Sequence, residues 1–416
     1  MLNASYIFSI LLILYIIISC NKSKFLGLSR STYGISLYWI LLFASYIMFI
    51  TPYWGYNNVY DLMIIGLGIL LLSSSKCNIE VWSGTTKLYI LFLFWCLLSI
   101  IYAVSIVKAI LMLLLLFEPI VYYAFSRVAF KTSDSIWCFI DRISSLSILY
   151  LLATVIDVFS DDFFYVYPYF GMYVFPCALA MYLRTRKKKY LLFCILCLSA
   201  NLAEVKRTPM LGMILSLSLM FIFKYRVKAI FLIPLLLTGF ILAIFYVPAI
   251  RNYMFFEGFD PSVVDWNDLI SGETLEMVNT HGRDSMWDFI FNKFYLSNVW
   301  IGSGLATVKT WLQSSANDSG SFDLLHNDWL EILCETGRIG IALLVSFYLR
   351  LVYSAYREYS ATTNKDMKYI SVILAMVVVS TMTHMYFENC VGGLGFSIPF
   401  VFMGIFTISK NRQQIV

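Results

Sequence analysis

Residues 170–203, "FGMYVFPCALAMYLRTRKKKYLLFCILCLSANLA", set two apolar runs on either side of a six-residue loop, "RTRKKK" at 184–189, that holds five cations. A helix rises about 1.5 Å per residue, so runs of this kind cross or nearly cross the ~30 Å hydrocarbon core of a bilayer. Cations collect in loops on the cytoplasmic side, which puts 184–189 inside. One membrane hairpin with a fixed orientation can therefore be read from this stretch alone.

The pattern repeats along all 416 residues, which are 60% hydrophobic and only 13% charged. A soluble domain carries about twice that charged share. The chain reads as an integral membrane protein, and because backbone in lipid must satisfy its own hydrogen bonds, as an all-α polytopic bundle. The expected spans are 4–20, 34–52, 61–74, 87–107, 109–126, 136–156, 170–183, 190–203, 209–223, 229–248, 339–356, 369–387 and 393–408. That gives twelve to thirteen transmembrane helices, since 61–74 is short and Asp141 and Arg142 interrupt 136–156. The first run lacks a basic segment before it and a small-residue cleavage site after it, and is expected to be a retained span. Counting alternately from 184–189 puts most lysines and arginines inside and the C-terminus in the cytoplasm. The formal charge of +5 suggests no nucleic-acid partner, because where the charges lie matters more than their sum in a membrane protein. Nine cysteines are scattered; Cys194 and Cys197 form a CxxC inside an apolar run, which reads as packing rather than as a redox or metal pair.

One connection breaks the alternation. The expected organisation is 1–248 with ten spans, 249–337 as a large outer loop with amphipathic helices, and 338–416 with the last three spans. A long loop on a rigid scaffold is where function concentrates. Between Glu257 and Glu335 acids far outnumber the bases Arg283, Lys293 and Lys309. "RDSMWDFIFNKFYL" (283–296) spaces Met286, Phe289, Ile290, Lys293 and Phe294 as an amphipathic helix suited to the bilayer surface. "QSSANDSGSFD" (313–323) reads as a loop.

Candidate chemistry lies around this loop. In "LLHNDWLEILCETGRIG" (324–340), Asp323 is expected as N-cap of a helix on which His326, Leu330, Leu333 and Gly337 share a face. His326 is either a hydrogen-bonded histidine on a surface helix or a functional group. Gly337 is expected to close that helix, and Gly340 to let the next span approach a neighbour. Lys206 and Arg207 in "EVKRTP" (204–209) sit on the outer surface against the charge trend, so they either snorkel to lipid phosphates or bind an anion. Arg283 either pairs with Asp284 or Asp288, or does the same. Two arginines and a histidine at the outer interface would suit a pyrophosphate whose lipid tail stays in the bilayer. The planar guanidinium fork grips phosphate in two places, and the histidine can take a proton from an attacking hydroxyl. No metal-ligand spacing is seen, and no cofactor is expected.

His326-Asn327 followed by Gly337 and Gly340 resembles the His-Asn...Gly-x-x-Gly signature of the O-antigen polymerase and O-antigen ligase superfamily. "KRTPMLG" (206–212) is similar to that superfamily's Ser-Arg turn, with Lys206 in place of serine. "GRDSMWDFIFNKFYLSNVWIGSG" (282–304) is similar to the segment that holds its second arginine and ends in Gly-x-Gly. The resemblance implies a C-type glycosyltransferase fold in the bacterial inner membrane, with a periplasmic active site, acting on undecaprenyl-pyrophosphate-linked oligosaccharide without a metal. By position, Arg207 and Arg283 would bind the donor pyrophosphate and His326 would activate the acceptor hydroxyl. Lys206 would add a phosphate contact, with Asn327 and Trp287 in the substrate site. Trp54, Tyr165, Tyr167, Trp266 and Trp287 would either stack on sugars or form an interfacial belt. A chain-length regulator and a flippase are the protein partners such a system implies. The favoured activity is polymerase, because the loop lacks a basic patch for a phosphorylated core acceptor; the alternative is ligase. A transporter is the reading from another class, and would use Glu118, Asp141, Arg142, Arg350 or His384 within the bundle.

Overall fold

A computed structural model describes residues 53–54, 57–58, 84–130, 132–159, 169–203, 207–246, 283–319 and 324–413. The expected spans 4–20, 34–52 and 61–74 lie outside the described residues; between the last two, Tyr53–Trp54 pairs antiparallel with Asn57–Asn58. From Gly84 onward the described chain is helical. In order these helices are α1 (Gly84–Ser99), α2 (Ile106–Ala129), α3 (Ser133–Phe159), α4 (Phe170–Thr185), α5 (Lys188–Ala203), α6 (Arg207–Tyr225) and α7 (Ala229–Tyr246). They continue with α8 (Arg283–Ile290), α9 (Thr307–Ser319), α10 (Asp328–Ala361), α11 (Lys365–Phe387) and α12 (Leu394–Gln413). Among the described residues, five helical stretches are long and apolar enough to cross a membrane: Gly84–Tyr102, Ile106–Ala124, Ser133–Leu152, Asp328–Ala361 and Lys365–Phe387. The protein is an all-α polytopic membrane protein.

Helix α11 is the centre of the bundle and packs against α10, α6, α12 and α4. Its sequence explains the place: from Tyr369 to Phe387 it carries no aspartate, glutamate, lysine or arginine, and an apolar helix without a polar face must be enclosed. Hydroxyls lock it to its neighbours. Ser216 Oγ lies 2.8 Å from Ser380 Oγ and donates to the Met376 carbonyl, Ser380 donates to the Met172 carbonyl, and Thr381 donates to the Gly395 carbonyl. Where the hydrophobic effect no longer separates helix from lipid, such bonds and close packing hold helices together.

The basic hairpin lies at the end where α11 begins. Arg184 makes two bonds to Asp366, at 2.8 and 3.2 Å, and lies over the Trp137 ring, whose Nε1 also donates to Asp366. Asp141, read from the sequence as an interruption within a span, accepts from Tyr190 Oη at 2.6 Å and from Lys189 Nζ. It thus belongs to the ion pairs around the 184–189 loop, because α3 begins at this end. His384, by contrast, is fully buried near the far end of α11, stacked 4.1 Å from Tyr169 and bonded to Tyr173 Oη.

Candidate active site

The far end of α11, opposite the basic hairpin, carries a small second core made from the loop residues. The amphipathic helix expected over 283–296 is present as α8 and continues as a π turn over Phe291–Tyr295. Much of its apolar face meets protein: Met286, Ile290 and Phe294 bury against Val308, Leu312, Leu325 and Cys334, while Phe289 stays half exposed. The stretch 313–323, expected to be a loop, is helical through Ser319 as the end of α9; 320–323 lie outside the described residues. Tertiary contacts override its composition. Glu335 on α10 accepts from Ala306 N at 2.8 Å and Val308 N at 3.0 Å, capping α9 from outside, and Leu312 anchors it in the second core.

The two glycine motifs interlock. Gly337 has φ +67° and ψ −169°, a conformation for which glycine is suited, and it breaks α10 between Thr336 and Arg338. The turn Gly302–Gly304 is laced across this break: Ser303 N donates to the Cys334 carbonyl, Gly304 N to that of Glu335, and Arg338 N to that of Val299. A methyl group on Gly337 would overlap the Trp300 carbonyl. Gly337→Ala is therefore expected to cost roughly 1–3 kcal/mol in backbone strain, with the clash added. Thermal unfolding in detergent should show the loss as a lower transition temperature. Gly340 faces Trp95 of α1, whose Nε1 bonds the Thr336 carbonyl, so it does permit the close approach expected of it.

His326 is not on the helix expected to carry it. It precedes α10 with φ +53°, and the cap is Asn327, whose Oδ1 accepts from Leu330 N at 3.0 Å. The expected cap, Asp323, lies outside the described residues. The start of α10 is pinned to the end of α11: Asp328 accepts from the backbone nitrogens of Cys390 and Val391, and Trp329 donates to the Met382 carbonyl. Trp287 donates to the Leu325 carbonyl at 2.8 Å and packs edge-on against Tyr386, so it steadies the residues just before the histidine. The side chain of Asn327 serves this local cap, whatever else it touches.

Held this way, His326 Nδ1 lies 2.6 Å from Glu388 Oε2. Arg283, at the start of α8, reaches the other oxygen of the same carboxylate from Nη2 at 3.2 Å and Nη1 at 3.3 Å, and donates from Nη1 to the Phe387 carbonyl at 3.0 Å. These bonds join Arg283 to groups about a hundred residues away. Side-chain exposures of 30% for His326, 29% for Arg283 and 20% for Glu388 leave the cluster open to one side. Burial alone would push the Glu388 carboxyl up, but the bond and charge of His326, the Arg283 guanidinium and a bond from Tyr169 together hold it below the usual carboxylate range.

Glu388 has no place in the sequence-based site, yet a signal for it was present. It is the C-cap of α11. An acid there opposes the helix dipole, which favours cations at a C-terminus, so its presence needs another reason. Arg207 opens α6, while Lys206 and the Arg207 side chain lie outside the described residues. The helix itself can be placed. Ser216 meets Ser380, and Phe223 meets Tyr356 and Tyr359 at the opposite end, so α6 runs antiparallel to α11. At 1.5 Å per residue, Arg207 and Glu388 each stand about 12–14 Å beyond that serine pair, at the same end of the bundle.

Residues 191–345 match a family model described as O-antigen ligase. Over this stretch, well under half of its length, the chain is similar to the O-antigen ligase family. The match supports the wider O-antigen polymerase and ligase superfamily, and it suggests a glycosyltransferase-like membrane enzyme acting on lipid-linked saccharides. The matched stretch runs from α5 into α10 and includes Arg207, Arg283, His326, Gly337 and Gly340; Glu388 lies beyond it. No curated protein matches the chain.

Proposed function

We propose that this protein is an O-antigen polymerase of the bacterial inner membrane that works at the periplasmic face. It would transfer a glycan from undecaprenyl pyrophosphate to the non-reducing end of another lipid-linked repeat unit. The observation that carries the reading is the meeting of Arg283 and His326 on one carboxylate, at the end of the bundle opposite the basic hairpin and within the stretch similar to the O-antigen ligase family, apart from Glu388 itself.

In this reading the acceptor hydroxyl oxygen attacks the anomeric carbon of the donor. The bond from that carbon to the pyrophosphate oxygen breaks, and its electron pair leaves with undecaprenyl pyrophosphate. The hydroxyl proton passes to the His326 imidazole. Arg207 and Arg283 hold the pyrophosphate and offset the charge that develops on it, which is the work a divalent metal does elsewhere. Lys206, Asn327 and Trp287 complete the substrate site. The bilayer receives the polyprenyl chain, and a flippase and a chain-length regulator act beside the enzyme. In this scheme 249–337 is the periplasmic loop between the two sets of spans.

The ligase reading has one observation in its favour, the description of the matching family itself. The polymerase is preferred because Arg283, Lys293 and Lys309 are the only bases between Glu257 and Glu335, a poor surface for a phosphorylated core acceptor. Lipopolysaccharide from a deletion strain, run on a gel, separates the two. The expected result is core carrying a single repeat unit. Unsubstituted core, with lipid-linked polymer accumulating, would establish the ligase instead.

A further inference from the structure

Glu388 receives groups from three other elements. His326 comes from the lead into α10, Arg283 from α8, and Tyr169 from the start of α4, while the Glu388 backbone nitrogen is itself fixed to the His384 carbonyl at 2.9 Å. A carboxylate accessible only in part and so fully engaged has little freedom to move.

What each partner is left with is informative. A guanidinium has five N–H donors, and those of Nη1 and Nη2 that point at Glu388 and at the Phe387 carbonyl occupy its end. Nε and the remaining Nη2 hydrogen, the side edge of the fork, bond no described residue. Two parallel donors on that edge match two oxygens of a phosphate. On the histidine, the ionised carboxylate can only accept, so Nδ1 must carry the proton. Neutral imidazole then presents an unprotonated Nε2, the nitrogen able to take a proton from a hydroxyl.

We propose that Glu388 is the positioning residue of this site: one oxygen turns the side edge of Arg283 toward the donor pyrophosphate, while the other fixes the proton on His326 Nδ1 so that Nε2 faces the acceptor. Because both bonds end on a single carboxylate, the spacing between the phosphate fork and the base is set by one rigid group. The same contact supports the imidazolium once the hydroxyl proton has moved. This rests on the function proposed above, and assigns a role to a residue outside the stretch similar to the O-antigen ligase family.

Glu388→Gln tests it. The amide oxygen can still accept from Arg283, but the amide nitrogen placed against His326 donates to Nδ1 and forces the proton onto Nε2. A tautomer reversed in this way removes the base while leaving the geometry in place. Transfer by purified protein from the lipid-linked repeat unit, extracted from a polymerase-deficient strain, is expected to fall about 10²-fold or more. Affinity for undecaprenyl pyrophosphate alone should stay within about threefold. Adding Glu388→Gln to His326→Ala should cause no further loss of transfer, because both act through one group.

Transfer at the wild-type rate in Glu388→Gln, with His326→Ala inactive, overturns the inference and leaves the proposed function standing. Loss of transfer accompanied by more than tenfold weaker binding of undecaprenyl pyrophosphate overturns it too, since a structural support would behave that way. If instead His326→Ala transfers normally, the function reading itself falls. Should the glutamine variant fail to accumulate, Glu388→Asp replaces it: one methylene short of spanning both partners, it is expected to lose transfer to a similar extent, and transfer at the wild-type rate overturns the inference.

Discussion

His326→Ala is expected to insert and accumulate like the wild type while losing glycan transfer by roughly 10²–10⁴-fold, the range a general base contributes. The structure explains why the fold should survive. The imidazole is part exposed, so its removal opens no closed cavity, and Glu388 would keep Arg283 and Tyr169 as partners and would not become a stranded charge. Asn327 caps α10, and Asp328 and Trp329 pin it to α11, without help from the histidine. Binding of undecaprenyl pyrophosphate to purified protein should persist, because that work is assigned to the arginines. A His326→Ala protein that still builds polymer at the normal rate would remove the histidine from the mechanism. One that is degraded would make it a structural hydrogen-bond partner.

Arg207→Lys should fail to restore polymer in a deletion strain at matched protein level, with transfer down about 10²-fold. The charge is retained, but a lysine ammonium cannot supply two parallel bonds to phosphate oxygens, and loss of one such stabilising contact costs roughly 3 kcal/mol in a transition state. The start of α6 stands at the same end of the bundle as Glu388, which places this arginine on the side where the pyrophosphate would lie. Full complementation by the lysine variant would instead assign Arg207 to holding the lipid surface, where a point charge is enough.

The fold class was legible in the sequence because membrane insertion is a local constraint. Each span must be apolar along its own length, and a loop such as 184–189 shows its side by its own cations, so runs 87–107, 109–126 and 369–387 declare themselves without reference to anything distant. The amphipathic spacing of 283–296 and a helix-closing glycine at 337 were readable for the same reason, since periodicity and backbone conformation are properties of short segments. Four things depended on the tertiary structure. The second core decided what the apolar face of α8 covers, an external carboxylate, Glu335, capped a helix where composition implied a loop, and the pinning of α10 to α11 put His326 ahead of its helix instead of on it. Glu388 is the clearest case. In sequence it is one acid after a long uncharged run, about a hundred residues from Arg283 and sixty from His326. Only packing α8 and α10 against the end of α11 brings both within bonding distance of one carboxylate, because charge pairing in three dimensions leaves no periodic mark on the chain.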